Sequence, residues 1–413
     1  MTQRETYKFI EKLLSAPFGD QMEMLRALVH FLVEHKDFAV TGGRIWELHP
    51  AEDAYVLKYQ YGDVEPIPDN YTVSVDSQPS FRDLAQKRAV MRHETDALLR
   101  EKGIALYSAA GAGERVKRDN GTLYRYVLAF NTHTPNQRFF DILAAASGAA
   151  TAALRDFNSR IDRKKLLRDL DQAHHIQQSL LPEHTTRFQD YHIFGISIPD
   201  SVVGGDYFDY LLPGDDDPDR LDIVISDAAS KGLPAAIQAL FVSGAIRMGV
   251  GFETKISPLL SRLNSLLYET FPDERFVSLF YCEIMRSANG LILYANAGHC
   301  SPLHYSAASG TWARLGPTGG ILGVLPEQKF RIENINMMPG DILIMFTDGV
   351  VEAQNAQGEL FGEERIAELL AKYAAEDAKS IALQILEHTQ SFQRGAAYAD
   401  DATLVVIKRD AAV

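Results

Sequence analysis

The sequence predicts an α+β protein in three parts: a mixed domain at 1–135, a long helix at 136–182 and a second mixed domain at 183–413. Three observations support this prediction. Strand-like alternation and helical spacing follow one another in both flanking regions, and the segment between them keeps helical periodicity throughout. The composition, with 46% hydrophobic and 23% charged residues among 413, is ordinary for globular domains with sizeable cores.

The first region combines helices with strands that have one buried face. Helical spacing marks QMEMLRALVHFLVEH at 21–35, and SFRDLAQKRAVMRHETDALL at 80–99 is predicted to be one further helix. Period-two alternation marks four strands: FAVTGGRIWEL, DAYVLKYQYG, GIALYSAAG and TLYRYVLAFNTH. The order helix, strands, helix, strands resembles a GAF-type sensory domain. That resemblance implies a small-molecule or protein signal at 1–135.

The connecting region reads as one very long helix. Residues 136–182 contain no proline before Pro182, and their apolar residues recur near the helical period with a phase shift around residue 163. A long amphipathic helix between two domains needs a partner for its apolar stripe. We expect a parallel dimeric coiled coil and therefore a homodimer. Packing of the stripe onto the chain's own domains is the alternative.

The region 183–413 predicts a strand-rich core covered by helices. Its strand-like runs are HIFGISI, LDIVISD, FVSLFYCEI, LILYANAG, SPLHY, DILIMFTDG and TLVVIKR. Its helical stretches are PAAIQALFVSGAIRMG, ISPLLSRLNSLLYETF, EERIAELLAKYA and AKSIALQILEHTQSF.

Charge and cysteine content narrow the class of protein. A net charge of −14 argues against a nucleic-acid-binding protein and against an anionic membrane surface. The two cysteines, Cys282 and Cys300, do not make a disulfide framework and fit a reducing compartment. The polar start is unlike a signal peptide, and no apolar run of membrane-spanning length is expected. These features predict a soluble, cytoplasmic protein.

Four aspartates stand at the ends of predicted strands. Asp206 follows the glycine pair in VVGGDYFDYL, Asp227 ends LDIVISD, Asp348 ends DILIMFTD, and Asp400 stands just before TLVVI. Because antiparallel neighbours bring the end of one strand beside the start of the next, we expect these acids to converge at one edge of a sheet. Gathered carboxylates repel one another and raise one another's pKa values unless cations neutralise them. Mn²⁺ and Mg²⁺ prefer such oxygen ligands, so the pattern predicts two divalent cations.

Several ordered motifs resemble one protein family. They are VVGGDYFDY, ISDAASKGLPAA, NAGHCSPL, GGILGV, FTDGVVEAQNAQGELFG and DDATLVVI. Together they closely resemble the SpoIIE/RsbU branch of the metal-dependent (PPM, type 2C) serine/threonine protein phosphatases, over about 183–409. The resemblance implies an αββα sandwich, two antiparallel sheets flanked by helices, with the metals at one end.

The resemblance also implies a ligand set. Asp206 would hold a metal directly or through water, Asp227 would bridge both metals, and the backbone carbonyl of Ala228 would ligate. Asp348 and Asp400 match the remaining ligands. The neighbouring acids Asp209 and Asp401 are second choices, with a solvated or supporting role as the alternative for each.

The implied function is metal-dependent hydrolysis of phosphoserine or phosphothreonine on a protein. The resemblance suggests a phosphorylated STAS-domain anti-anti-sigma factor in bacterial partner switching as the substrate. We expect the sensor domain to regulate the reaction through the long helix and the helix that follows Asp227. Two alternatives stay open: a pseudophosphatase that binds a phosphoprotein without turnover, and a sensor scaffold whose output is dimerisation.

Two positions near the motifs call for structural tests. His299 is expected to support a turn or the edge of the substrate site rather than bind metal, and a role as general acid is a weaker alternative. Ser230 stands where the family usually has glycine. If that position needs a positive φ, Ser230 adds backbone strain, although an active enzyme is still expected.

Overall fold

The computed structural model of the chain describes residues 3–78, 80–94, 96–119, 121–214, 219–252, 254–271, 276–393 and 400–410. The chain divides into two compact units, Met1–Leu166 and Leu167–Val413. The α+β fold class predicted from the sequence is confirmed.

The first unit is a six-stranded antiparallel sheet with helices packed on it, in the strand order β3-β2-β1-β6-β5-β4. Its strands are β1 Val40–Leu48, β2 Ala54–Gly62, β3 Thr72–Ser74, β4 Ala89–His93, β5 Leu106–Arg118 and β6 Gly121–Thr132. Its helices are α1 Gln3–Leu14, α2 Gln21–Glu34, a 3₁₀ turn Lys36–Phe38, α3 Ser80–Lys87 and α4 Ala97–Glu101. This order of elements is consistent with the predicted GAF-like architecture.

Helix α2 shows why the predicted elements form. Its N-cap Asp20 accepts a hydrogen bond from the backbone N–H of Glu23 at 2.7 Å, which satisfies a donor at the helix start. Its apolar face, including Leu25, Leu28 and Leu32, is buried in the core on one side of the sheet.

The prediction of one helix over 80–99 was wrong. Helix α3 ends at Lys87, Arg88 adopts a left-handed φ of 62°, and Ala89–His93 pairs with β5 as an edge strand. Pairing with β5 satisfies the backbone of this segment, so tertiary context overrides its helical pattern.

The long connecting helix is present as predicted. Helix α5 runs from Gln137 to Leu180, a length of 44 residues. Its buried side chains end at Leu154, whereas four apolar residues further along are exposed: Ile161, Leu166, Leu167 and Ile176. The second half of α5 therefore carries a stripe of apolar side chains that are exposed in the part of the chain that the structure describes.

The second unit consists of two antiparallel sheets. Their strand orders are β15-β12-β11-β10-β9 and β14-β13-β16-β17-β8-β7. The strands are β7 Thr185–Phe188, β8 Tyr191–Ile198, β9 Tyr207–Leu211, β10 Arg220–Ala228, β11 Val277–Met285, β12 Leu291–Ala297, β13 Leu303–Ser306, β14 Thr311–Arg314, β15 Glu333–Asn336, β16 Ile342–Phe346 and β17 Ala402–Arg409. The helices are α6 Leu233–Gly251, α7 Ile256–Thr270, α8 Asp348–Val351, α9 Gly362–Tyr373 and α10 Ala378–Gln393.

Alternating residues of the strands place these elements in four layers. In β10, Ile223 and Ile225 lie in the core between the two sheets, while Val224 lies in the core beneath α6 and α7. In β16, Leu343 faces the inter-sheet core, while Ile344 packs with α9 and α10. The αββα sandwich implied by the family resemblance is therefore confirmed.

Helix α6 is apolar over much of its length, whereas the sequence predicted no apolar run of membrane-spanning length. Among the described residues it is the one helix long and apolar enough to cross a membrane by length and composition. Its side chains Ala239, Val242 and Ile246 are buried in the core of the second unit. The core of a folded domain accounts for this composition.

Candidate metal centre at one end of the sandwich

The predicted acids come from both sheets. Asp206 directly precedes β9 and Asp227 lies at the end of β10, in one sheet. Asp348 is the first residue of α8, directly after β16, and Asp400 lies just before β17, in the other sheet. The acids therefore meet across one end of the sandwich, and the prediction that they converge at the edge of a single sheet was wrong.

Electrostatics show that these carboxylates lie close together. Burial, followed by repulsion from Asp348 and Asp400, raises the pKa of Asp227 to about 7. Burial and the charge of Asp227 raise the pKa of Asp206 well above its usual range. Burial and the charge of Asp400 raise the pKa of Asp348. The protein's own groups therefore leave this cluster with uncompensated negative charge.

Thr347 fixes Asp206, and sequence reasoning missed this residue. Its hydroxyl donates to Oδ2 of Asp206 at 2.8 Å and accepts from the backbone N–H of Thr403 at 3.0 Å. Thr347 is fully buried. Its position just before Asp348, in the motif FTDG, was the only sequence signal for this role.

Asp401 holds the loop that carries Asp206. One of its oxygens accepts from the backbone N–H of Asp200 at 2.8 Å, and the other accepts from the N–H groups of Gly205 and Asp206. Both oxygens are thus engaged with the backbone. Asp401 therefore supports the loop, while the charge of its neighbour Asp400 raises the pKa values of Asp227 and Asp348.

Asp400 forms an ion pair with a lysine. Lys231 Nζ lies 2.8 Å from Asp400 Oδ2, and its side chain is 64% exposed. A cation at the cluster would compete with this exposed ammonium group for the same oxygen.

Two glycines allow the backbone to approach closely here. A Cβ at Gly349 would lie 2.1 Å from the carbonyl oxygen of Asp401, which no side chain tolerates. A Cβ at Gly205 would lie 2.8 Å from Cβ of Ala235 and 3.4 Å from the carbonyl oxygen of Ala228. The glycine motifs therefore bring the Asp206 loop, the start of α6 and the Ala228 carbonyl together.

Asp209 points away from the cluster. It is buried beneath α6, accepts from Tyr207 Oη at 2.7 Å and forms an ion pair with Arg247 Nε at 2.7 Å. A buried carboxylate with these partners joins β9 to α6.

His299 is buried, and its Nδ1 lies 2.8 Å from Ser278 Oγ. Burial lowers the pKa of His299 to about 4, so the imidazole is neutral at pH 7. A neutral imidazole is a poor proton donor to a leaving group, and this argues against the general-acid role.

Ser230 introduces no left-handed strain. Positive φ angles occur at Gly232, with 66°, but not at Ser230. The Ser230 hydroxyl donates to Oε1 of Gln238 at 2.6 Å, which ties this turn to helix α6.

The end of helix α5 forms hydrogen bonds with the loop that carries Asp206. Gln177 Nε2 donates to the carbonyl of Gly204 at 2.6 Å, and the Gly204 N–H donates to Gln177 Oε1 at 3.1 Å. Nearby, Arg247 Nη2 donates to the carbonyl of Leu180 at 2.6 Å, so helix α6 also contacts the end of α5.

The donor set fits hard divalent cations. Buried carboxylates that repel one another, beside a backbone carbonyl, are the ligands such ions prefer. Among the described residues, no three His, Cys, Asp or Glu side chains stand in a geometry that would hold an ion as they are. Cations at this cluster would therefore need these side chains to reorient, and a cation at Asp400 Oδ2 would compete with Lys231.

The second unit has the fold of PP2C-type domains. The structure is similar to the SiaA-PP2C domain of Pseudomonas aeruginosa, with a TM-score of 0.51 and 21% identity, covering 60% of this chain and 99% of that chain. At that identity the similarity concerns the fold alone.

The sequence of the second unit is similar to one known family. Residues 217–410, which lie in the second unit, match the family Stage II sporulation protein E (SpoIIE). The predicted resemblance of this region to the SpoIIE/RsbU phosphatases is confirmed.

Two curated relatives match a similar share of the chain. Phosphoserine phosphatase RsbU of Bacillus subtilis (strain 168) is 28% identical over 252 residues, which are 60% of this chain and 72% of RsbU. Protein IcfG of Synechocystis sp. (strain ATCC 27184 / PCC 6803 / Kazusa) is 28% identical over 271 residues, which are 59% of this chain and 42% of IcfG. The match thus spans less than half the length of IcfG.

Proposed function

We propose that the chain is a metal-dependent protein-serine/threonine phosphatase. The observation that carries the proposal is the set of mutually repelling carboxylates at one end of the sandwich, with the pKa of Asp227 raised to about 7 by burial and by neighbouring acids. Its similarity to RsbU, which is named a phosphoserine phosphatase, supports the same chemistry.

Two divalent cations, Mn²⁺ or Mg²⁺, would be held by Asp206, Asp227, the carbonyl of Ala228, Asp348 and Asp400. Bound there, they would neutralise the carboxylates and act as Lewis acids toward a phosphoryl group. Thr347 fixes the Asp206 carboxylate that such cations need.

A protein substrate suits the surroundings of the site. Val202, just before the Asp206 loop, and Leu233 and Ile237, at the start of α6, are exposed apolar residues. The two segments meet where Gly205 approaches Ala235. Apolar side chains beside a phosphoryl site favour docking of a folded protein over a free phosphate ester. We propose a phosphorylated STAS-domain anti-anti-sigma factor as that substrate, and partner switching in the cytoplasm as its setting.

Regulation is proposed to run through α5 from a GAF-like sensor at 1–135. The exposed stripe on the second half of α5 supports a homodimer through this helix. Gln177 supports the link to the site because the same helix holds Gly204.

The decisive experiment compares Asp227→Asn with Glu387→Gln, which alters an exposed carboxylate on α10. Phosphorylated STAS-domain proteins are incubated with each full-length variant in Mn²⁺ or in EDTA, and released phosphate is measured. We expect wild type and Glu387→Gln to be active only with Mn²⁺. We expect the activity of Asp227→Asn to be lower by a factor on the order of 1,000 or more, because the variant lacks one essential metal ligand. Normal turnover by folded Asp227→Asn would refute the assignment.

The alternative is a pseudophosphatase that binds a phosphoprotein without turnover. The observation in its favour is the Lys231–Asp400 ion pair, which occupies one ligand oxygen. Binding of the phosphoprotein is measured beside phosphate release in the same incubations: binding by wild type without phosphate release in Mn²⁺ would establish the pseudophosphatase.

A further inference from the structure

The first unit contains a small, partly open cavity that the phosphatase chemistry does not use. It lies between the sheet and helices α3 and α4, and its lining is mostly apolar or aromatic, including Trp46, Leu84 and Val127. Its volume, over the positions that the centre of a water molecule can take, is about 40 Å³. That is room for roughly three waters, or for a small organic molecule of similar bulk.

Arg44 is the charged group in this lining with unused donors. It projects from β1, is 1% exposed, and donates from Nη1 to Asn131 Oδ1 at 3.0 Å. Its Nε and Nη2 have no hydrogen-bond partner among the described residues. Burial lowers the pKa of Arg44 to about 10, so the guanidinium is still charged at pH 7.

The two unused donors have a specific geometry. In a guanidinium group, the N–H of Nε and one N–H of Nη2 lie parallel on one edge of the plane. This edge is the fork that binds both oxygens of a carboxylate. A buried cation with that edge unused is costly unless an anion pairs with it.

The neighbouring acid does not fill this role. Glu94 also lines the cavity, but its Oε1 accepts from Gln78 Nε2 and from the backbone N–H of Asp96 at 2.9 Å. The charge of Glu94 raises the pKa of Arg44, but neither Nε nor Nη2 of Arg44 has a hydrogen-bond partner, Glu94 included, among the described residues. The negative charge of Glu94 also disfavours a dianion such as sulfate or phosphate in the same space.

We propose that this cavity binds a short-chain monocarboxylate of two to four carbons. Its two oxygens would pair with Nε and Nη2 of Arg44, and its apolar body would rest against Trp46 and Val127. The volume of the cavity limits the length of the ligand, and the free edge of the Arg44 guanidinium selects a carboxylate. The negative charge of Glu94 favours a ligand with a single negative charge over a dianion. The site would give the first unit a ligand of defined chemistry, independently of whether the second unit is an active phosphatase.

The test uses the full chain and isothermal titration calorimetry with propionate. Propionamide, which has the same shape without the charge, and sulfate, which is a dianion, serve as comparison probes. We expect saturable binding of propionate, and affinities at least tenfold weaker for propionamide and sulfate. Absence of saturable binding by propionate, acetate and butyrate would overturn the proposal and leave a cavity filled by water. Equal binding of propionamide would also overturn it, because the site would then not select a carboxylate.

Variants locate the binding. Arg44→Gln should weaken propionate binding on the order of 100-fold, as for loss of one partner in a buried charge pair. Arg100→Gln, which removes an exposed arginine on α4, should leave binding unchanged. Ala109→Leu fills the cavity from another wall while keeping Arg44, so it should also abolish binding; it keeps the test valid if Arg44→Gln does not fold. Unchanged binding in folded Arg44→Gln, or in folded Ala109→Leu, would contradict the site.

Discussion

Replacing Gln177 by alanine tests how the long helix supports the metal centre. The Gln177 side chain is the double clamp between α5 and Gly204, with hydrogen bonds of 2.6 and 3.1 Å. Gly204 is followed by Gly205 and Asp206, whose N–H groups bind Asp401. Gln177→Ala therefore releases one end of the loop that presents Asp206, while every carboxylate remains in place.

The size of the effect follows from the two bonds. Each side-chain to backbone hydrogen bond contributes about 0.5–1.5 kcal/mol net, so the clamp is worth about 1–3 kcal/mol. A loss of that size lowers the fraction of molecules with the loop in place by about 5- to 150-fold at most. We expect roughly a tenfold loss of activity at limiting Mn²⁺, because Asp401 still holds the other end of the loop.

The assay is phosphate release as a function of Mn²⁺ concentration. The matched control is Gln178→Ala, because Gln178 is the next residue on the same helix and its side chain is exposed. Gln177→Ala should require about tenfold more Mn²⁺ for half-maximal activity and should recover activity at saturating Mn²⁺. If Gln177→Ala and Gln178→Ala have the same Mn²⁺ dependence, the clamp does not support the site.

Two further predictions concern charge. Lys231→Ala should lower the Mn²⁺ concentration for half-maximal activity by about three- to tenfold, because it removes an exposed cation 2.8 Å from Asp400; a weaker Mn²⁺ response would show that Lys231 helps the site. Burial, then repulsion by Asp222, raises the pKa of Glu283 to about 7, from an ordinary 4.5. The pKa of Glu283 is higher in the folded than in the unfolded protein, so the stability that Glu283 contributes is fully present below about pH 4.5 and is lost as the pH rises to about 7. The loss in the free energy of unfolding is at most about 3 kcal/mol. Glu283→Gln should abolish this loss, so its unfolding free energy relative to wild type should rise between pH 5 and 8 in calorimetry; a constant difference would contradict the shift.

Strong periodicity made most of the fold predictable. The buried strands β8, β10, β11 and β17 alternate or run apolar over seven to nine residues, and helices α7 and α10 keep one apolar face. The strands β7, β14 and β15 were not predicted. Each has only four residues, largely polar, and lies at or near the edge of its sheet, where a partner strand rather than its own pattern defines it.

The aspartates of the candidate site were predictable from the sequence, but the residues that hold these aspartates in position were not. Aspartates beside glycine at strand ends are visible in the sequence. Thr347 contacts Asp206, which is 141 positions away in the sequence, and Asp401 contacts backbone groups 195 to 201 positions away. Gln177 contacts Gly204, which is 27 positions away. The same limit explains why the acids were placed on one sheet edge: local patterns do not show that β10 and β16 belong to different sheets.

The contacts of α5 favour control of metal binding over control of substrate binding. Gln177 of α5 donates a hydrogen bond to the carbonyl of Gly204, which lies two residues before Asp206. The carbonyl of Leu180, at the end of α5, accepts a hydrogen bond from Arg247 of α6. Arg247 also pairs with Asp209 on β9, so both contacts lead to elements beside the carboxylates. Because those carboxylates repel one another, holding them together costs free energy until cations bind. A displacement of α5 that loosens the loop would therefore lower cation affinity first, and we expect any signal carried by this helix to act through the Mn²⁺ dependence of the reaction.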